Sequence, residues 1–221
     1  MPAQRDIPAQ LGISAQLDRL VDLGLPSLAG LGEEEFRATA AGLATASEAH
    51  AGALLAIHPS LVPASRLATL LERAGKPGFV VVDMTDLDSF EPVDSAPVPD
   101  APLYLVQDVE RGDRYRNLSA PEAAQEIADR GRSPLTISEG ISLLLQRPEL
   151  LEPNHCFMTI GSRLRKGRGF DSRTPAIWIS GGTGRDGTEN KDAPKVGWCW
   201  WNNRHTWLGF ASTAGRLAPP A

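Results

Sequence analysis

The chain has 221 residues, of which 42% are hydrophobic and 22% charged, and its formal net charge is −5. This composition is typical of a globular protein and excludes collagen, coiled-coil and wholly disordered classes. Two cysteines are too few for a disulfide framework, and no apolar run approaches the roughly 20 residues that a membrane-spanning helix needs. The N-terminus lacks the charged leader and apolar run of a secretory signal, so we expect a cytoplasmic protein that does not contact a membrane.

Charge is distributed unevenly along the chain. Residues 1–153 carry 12 basic and 23 acidic side chains, whereas residues 154–221 carry 10 basic and 4 acidic ones and all five tryptophans. A basic segment on an acidic protein either docks against the acidic remainder, within the chain or between subunits, or binds a polyanion. We favour docking, because charge asymmetry alone is weak evidence about partners.

Helical spacing predicts three helices in the first part of the chain. Residues 14–24 place leucines at helical intervals and end in glycine. Residues 32–50 open with three glutamates, which the helix dipole favours in a first turn, and are rich in alanine. A third helix is predicted from Pro63 to Ala74, where leucines again recur at helical spacing.

Two apolar runs in the same region predict strands. Residues 53–57 form a brief run, and residues 79–84 are β-branched and apolar throughout, which is typical of a strand covered on both faces. Residues 91–102 contain four prolines and form a connector or surface loop. We therefore divide the chain into an acidic, mostly helical portion (residues 1–100) and an α+β unit (residues 101–221).

The second unit combines a strand, two helices and a series of short strands. Residues 103–109 predict a strand, and two N-cap patterns at Ser119 and Thr136 predict helices that end near Gly131 and Pro148. Short aromatic and β-branched runs then predict strands over residues 155–160, 175–180, 196–201 and 206–210.

These strands are predicted to form an antiparallel meander with a tight hairpin at Asn202 and Asn203, because parallel pairing needs helical crossovers. Residues 163–174 and 181–195 are predicted to be mobile surface loops. The predicted fold class is α+β, with a helical N-terminal portion and a C-terminal antiparallel meander packed with two helices.

Residues 79–215 resemble a family of uncharacterised proteins found mainly in actinobacteria. The resemblance is carried by LYLVQDVERGD, by RGRSPLTISEGISLLLQRPELLEPNHCFM, and by PAIWISGG followed by GWCWWNNRHTWLGFAS. It implies a bacterial cytoplasmic protein and assigns no activity, cofactor or role to any position.

A GxGxxG pattern spans residues 182–187, directly after a predicted strand. Dinucleotide binding by this pattern requires a helix to begin there, because helix N–H groups and the helix dipole bind the pyrophosphate. The following TENKDAPK has a proline and no apolar face, so the pattern predicts a flexible connection between strands and no cofactor.

Two histidines and two cysteines could in principle form a zinc site. Neighbouring His155 and Cys156 point to opposite faces of a strand, and the chain has no CxxC or HxxxH spacing. A site that combines one of them with Cys199 and His205 stays open, against buried thiols and hydrogen-bonded histidines. We predict no metal site.

Three acids follow the predicted strand at residues 79–84. Clustered carboxylates at Asp83, Asp86 and Asp88 would raise one another's pKa and suit acid or base catalysis, but acids also cap turns. Asp83, Asp86 and Glu139 are the acids of our alternative hypothesis, an enzyme that acts on a small or phosphorylated substrate.

The tryptophans and arginines of the last third form the strongest candidate binding surface. Tryptophan faces stack on bases, sugars or cations, and arginine contacts anions. Strand alternation places Trp198 and Trp200 on one face and Cys199 and Trp201 on the other. Alternatively, tryptophan simply fills the core of a sheet that lacks leucine and isoleucine. The predicted ligand-binding residues are Trp198, Trp200, Trp207, Arg163, Arg165 and Arg204.

We interpret the protein as a non-catalytic binding or interaction module that uses this surface. The partner would be an anionic ligand or another protein, and assembly into a homo-oligomer stays open.

Overall fold

A computed structural model describes residues 11–43 and 52–220. The helices are α1 Ile13–Asp22, α2 Leu25–Ala29, α3 Glu33–Ala38, α4 Ala64–Leu67, α5 Ala120–Asp129 and α6 Ile137–Gln146. The strands are β1 Leu54–Ile57, β2 Glu72–Arg73, β3 Lys76–Pro77, β4 Phe79–Val80, β5 Phe90–Pro92, β6 Leu103–Gln107, β7 Ser133–Pro134, β8 Cys156–Met158, β9 Ser162–Lys166, β10 Gly169–Phe170, β11 Arg173–Ile179, β12 Pro194–Trp200, β13 Leu208–Phe210, β14 Ser212–Thr213 and β15 Gly215–Leu217. The α+β class and the helical N-terminus are confirmed. In the described part of the chain, no helix is both long and apolar enough to cross a membrane.

The N-terminal helices are shorter than their sequence pattern predicts. Helix α1 confirms the helix predicted for residues 14–24, but the one predicted for residues 32–50 is interrupted after Ala38, where residues 39–42 form turns. The Thr39 hydroxyl donates to the Phe36 carbonyl over 2.7 Å, and the following backbone bonds span only three residues. A hydroxyl that bonds its own backbone competes with helix continuation. Residues 44–50 lie outside the described residues.

Strands from both sides of residue 100 pair with each other in three sheets. The sheet orders are β1-β6-β15, β10-β9-β5 and β13-β8-β11-β12-β4, so β1, β5 and β4 each pair with a strand of the later sequence. Backbone hydrogen bonds therefore join the two predicted portions. Whether they unfold separately stays a prediction.

The centre of the five-stranded sheet is antiparallel, as predicted, but its edges are parallel. Strand β11 pairs antiparallel with β8 and β12. Strand β13 pairs parallel with β8, and β4 pairs parallel with β12. The predicted hairpin at Asn202 and Asn203 is therefore wrong. The chain between β12 and β13 instead crosses the sheet end, held by backbone bonds from Trp201 to Ser172 and from Asn117 to His205.

Helix α6 forms the centre of the core, and every one of its residues is buried. Its predicted capping box is present, because Thr136 N–H donates to Glu139 over 2.8 Å. A Cβ on Gly140 would lie 2.6 Å from Thr159 and 3.2 Å from Phe157. The absence of a side chain at Gly140 thus lets α6 lie directly against the five-stranded sheet.

Two further expectations need correction. Only Phe79 and Val80 of the strand predicted for residues 79–84 pair in a sheet, and Val82 is 68% exposed because a turn begins at Val81. Residues 163–174, predicted as a loop, contain most of β9, all of β10 and the start of β11. The charged side chains there belong to a hairpin whose long stems cover Phe170.

Candidate functional site

The β9-β10 hairpin and the end of β12 bring one arginine against two aromatic rings. Arg163 is 7% exposed, and its Cζ lies 3.8 Å from the ring centre of Trp201 and 5.2 Å from that of Phe170. Phe170 returns towards β9 through a turn at Gly167, whose φ of 60° favours glycine. Trp201 is fixed by its backbone bond to the carbonyl of Ser172, 2.8 Å long.

Arg163 is a buried cation that forms no direct ion pair with a described carboxylate. Its Nη2 donates to the carbonyl oxygen of Asp171 over 2.7 Å, whereas its buried Nε has no hydrogen-bond acceptor. Among the described residues, no carboxylate oxygen lies within 4.0 Å of its guanidinium. Burial lowers the pKa of Arg163, and the charge of Asp171 opposes that shift. The guanidinium nevertheless stays charged at neutral pH, because arginine does not deprotonate in proteins.

A cavity of about 440 Å³ lies beside this guanidinium. Phe170, on its wall, is 42% exposed. The other lining residues are mostly apolar and come from the connector, α5, β7 and the turn before β9: Val93, Ser95, Ala124, Pro134 and Ile160. A cavity with apolar walls and a single charged group suits a small organic anion with an apolar body.

The other predicted ligand-binding residues are distributed over four sets of contacts. Arg165 is near the cavity, with its guanidinium 5.3 Å from the ring centre of Phe170. Trp198 and Trp200 pack edge to face, 4.6 Å between ring centres, and Trp200 is 46% exposed. Arg204 forms an exposed ion pair with Glu122.

Trp207 contacts the ring of His205 at 5.1 Å between centroids. The structure therefore joins Arg163 and Arg165 with Phe170 and Trp201, two residues that were not among the predicted ones. Strand alternation already separates Trp201 from Trp198, but it does not indicate which face meets the hairpin. Ligand binding by Trp198 and Trp200 stays a prediction.

The acids of the enzymatic alternative are engaged in separate contacts. Asp86 accepts from Arg173 over 2.6 Å, and this bond is the main reason that the pKa of Asp86 is lowered. Asp88 accepts from the backbone N–H of Ser65 over 2.8 Å. Glu139 is wholly buried and pairs with Arg216. These contacts give the acids structural roles, and the geometry adds no support for the enzyme.

Asp83, the first acid of that group, is half-buried at the turn after β4. Within residues 11–43 and 52–220, no three His, Cys, Asp or Glu side chains converge as metal ligands do.

Of the four residues considered for zinc, only Cys199 and His205 meet. The Cys199 sulfur lies 2.9 Å from Nε2 of His205. His155 instead contacts Arg111 at 3.0 Å, and Arg111 also pairs with Asp113.

No α-helix begins at the GxGxxG pattern. One three-residue 3-10 turn lies within the pattern and another follows it. The side chain of Asp186 in this loop accepts from Lys195 over 2.6 Å and from Ser180 over 3.0 Å. The helix that phosphate binding requires is therefore missing from this loop.

The sequence profile of a family of unknown function, DUF5701, matches residues 19–219. The chain belongs to the DUF5701 family. The matched region of this DUF5701 chain includes the Arg163 cavity and the pair formed by Cys199 and His205. No curated protein and no solved structure matches the chain.

Proposed function

We propose that this DUF5701 chain is a non-catalytic binding protein that holds a small organic anion at Arg163. The observation that supports this function is the buried guanidinium without a carboxylate partner beside an open, apolar cavity. A buried charge without a counter-ion costs several kcal/mol, so a bound anion would relieve a destabilisation that the apo protein carries.

The surroundings of Arg163 favour a carboxylate on an apolar or aromatic body. Trp201 covers one face of the guanidinium, Nε is buried, and Nη2 already donates to the Asp171 carbonyl, so a carboxylate would meet the remaining N–H groups at the guanidinium edge. Phe170 and Val93 offer apolar contact to the rest of the ligand. A phosphate dianion would need further cations or N–H donors, and Arg163 is the only charged residue of the described cavity lining.

We further propose that the protein acts in the cytoplasm of a bacterium. Cys156 and Cys199 are both free thiols, which suits a reducing compartment.

The test uses benzoate, hexanoate and phenylacetate as probes, with benzamide as the uncharged match to benzoate. Binding is followed by calorimetry and by the fluorescence of the tryptophans, one of which stacks on Arg163. We expect at least one carboxylate to bind, benzamide not to bind, and Arg163→Gln to weaken binding about tenfold or more, since a lost charged hydrogen bond costs roughly 1.5–3 kcal/mol.

The matched control is Arg168→Gln, which removes an exposed arginine from the turn of the same hairpin, outside the cavity lining. If all three carboxylates fail to bind, or if both variants weaken binding equally, the cavity is not the anion site proposed here.

A further inference from the structure

The second feature of the molecule that can perform chemistry is the pair of side chains formed by Cys199 and His205. Cys199 lies near the end of β12, past Lys195 and Val196, where β12 pairs with β4. On its other side, Cys199 is in register with Thr174 of β11. The half-buried Cys199 therefore has a neighbouring strand on one side only, because β4 does not extend as far as this end of β12.

The chain folds back after β12 and places polar groups around the Cys199 sulfur. Asn203 N–H donates to the Trp200 carbonyl over 3.0 Å, which closes the turn that returns His205 to the strand. Nε2 of His205 then lies 2.9 Å from the sulfur. The Trp207 ring packs against the imidazole, with 5.1 Å between the ring centroids. A thiol within hydrogen-bond distance of an oriented imidazole is the arrangement that activates a cysteine nucleophile.

Both groups of the pair are neutral at rest. Burial raises the pKa of the Cys199 thiol, and hydrogen bonds from the Trp200 backbone and the Asn203 side chain reduce this shift. Burial also lowers the pKa of His205. A neutral imidazole has one unprotonated ring nitrogen, so His205 can accept the thiol proton when the sulfur attacks.

Cys156, the other cysteine of the chain, is an internal control. It is buried in β8, between β11 and β13, and burial raises the pKa of its thiol. No histidine side chain contacts it within the described residues. With two cysteines in the sequence, each can be studied alone after the other is replaced.

We propose that Cys199 is a nucleophilic thiol that exchanges with small disulfides, with His205 as its proton acceptor. The thiol proton moves to Nε2 of His205, and the sulfur attacks one sulfur of the disulfide. The disulfide bond breaks, a mixed disulfide forms on Cys199, and the departing thiolate takes the proton from the imidazolium. One disulfide bond is exchanged for another, so the step needs no oxidant besides the disulfide itself. Disulfide exchange is favoured over acyl transfer because it creates no oxyanion that would need its own donors.

The experiment measures the reaction of the Cys156→Ala protein with a dipyridyl disulfide, an uncharged probe whose released thiopyridone absorbs light. We expect one equivalent of rapid release, and we expect His205→Ala on this background to slow it about 100-fold, the usual effect of a lost general base. Added imidazole should restore part of the rate in the His205→Ala protein, an effect that a purely structural role of His205 would not produce.

The Cys199→Ala protein reports on Cys156 and should release thiopyridone only when urea unfolds the chain. Peptide mass spectrometry of the wild-type protein treated with the probe identifies the cysteine that reacts first. This measurement does not depend on correct folding of the Cys156→Ala variant. A similar rate with and without His205, a lack of imidazole rescue, or first modification at Cys156 would overturn the proposal.

Discussion

Two ion pairs of equal length allow the effect of burial on stability to be measured within one protein. Arg216 and Glu139 approach to 2.5 Å, and their side chains are 5% and 0% exposed. Arg204 and Glu122 also approach to 2.5 Å, but their side chains are 51% and 43% exposed. Both pairs join a guanidinium to a carboxylate, but they differ in their access to water and in geometry, because Arg216 donates to Glu139 through two nitrogens and Arg204 donates to Glu122 through one.

Replacing Arg216 by methionine should destabilise the protein strongly. The change leaves the Glu139 carboxylate buried without its cation, which costs roughly 3–5 kcal/mol. It also removes the donors to the Ser133 hydroxyl and the Pro134 carbonyl. For a protein of this size, a loss of about 4 kcal/mol corresponds to a fall in Tm of roughly 8–16 °C.

Replacing Arg204 by methionine should lower the free energy of unfolding by less than about 1 kcal/mol. Water weakens the attraction in an exposed pair, and holding the two side chains together costs conformational entropy. Urea unfolding of the two variants, followed by circular dichroism, gives both free energies of unfolding. Adding Glu139→Gln to Arg216→Met should restore part of the stability, since it removes the unpaired charge. Equal losses for the two arginine variants, or no recovery in the double variant, would refute the argument from burial.

Two other predictions concern the helices. The Glu122 carboxyl caps α5, and its bonds to Ser119 and Arg204 lower its pKa to about 2. Its contribution to stability is therefore complete above its ordinary pKa of 4.5 and is lost as the pH falls towards 2, so Glu122→Gln should flatten this part of a stability curve measured by urea titration. Gly140→Ala should cost roughly 1–3 kcal/mol because its Cβ would overlap Thr159, whereas Gly169→Ala, whose Cβ has open space, should be nearly neutral in thermal unfolding.

Local patterns predicted local structure well in this chain. The capping boxes at Ser119 and Thr136 depend on residues three positions apart, and both helices begin where these residues indicate. The interruption after α3 was missed because the alanine-rich pattern does not reveal that the Thr39 hydroxyl bonds the Phe36 carbonyl.

Contacts between distant segments were harder to predict. The parallel pairing of β13 with β8 requires the chain after Trp201 to cross the end of the sheet. The two asparagines in this segment predicted a hairpin and did not indicate the crossing. Arg163 was predicted as a ligand-binding residue, but its contact with Trp201 was not. That contact depends on the β9-β10 hairpin, which was predicted as a loop because its sequence is rich in charged residues. Strand alternation separated Trp201 from Trp198, but it did not indicate that Trp201 contacts Arg163.

The pairing of Glu139 with Arg216 also constrains how the chain matures during translation. Helix α6 leaves the ribosome tunnel 77 residues ahead of the arginine that neutralises its buried carboxylate. Nascent chains that stop before β15 therefore have to keep this carboxylate hydrated, because burying it without its cation is costly. Native packing around α6 is thus a late event, completed only after synthesis has passed β15.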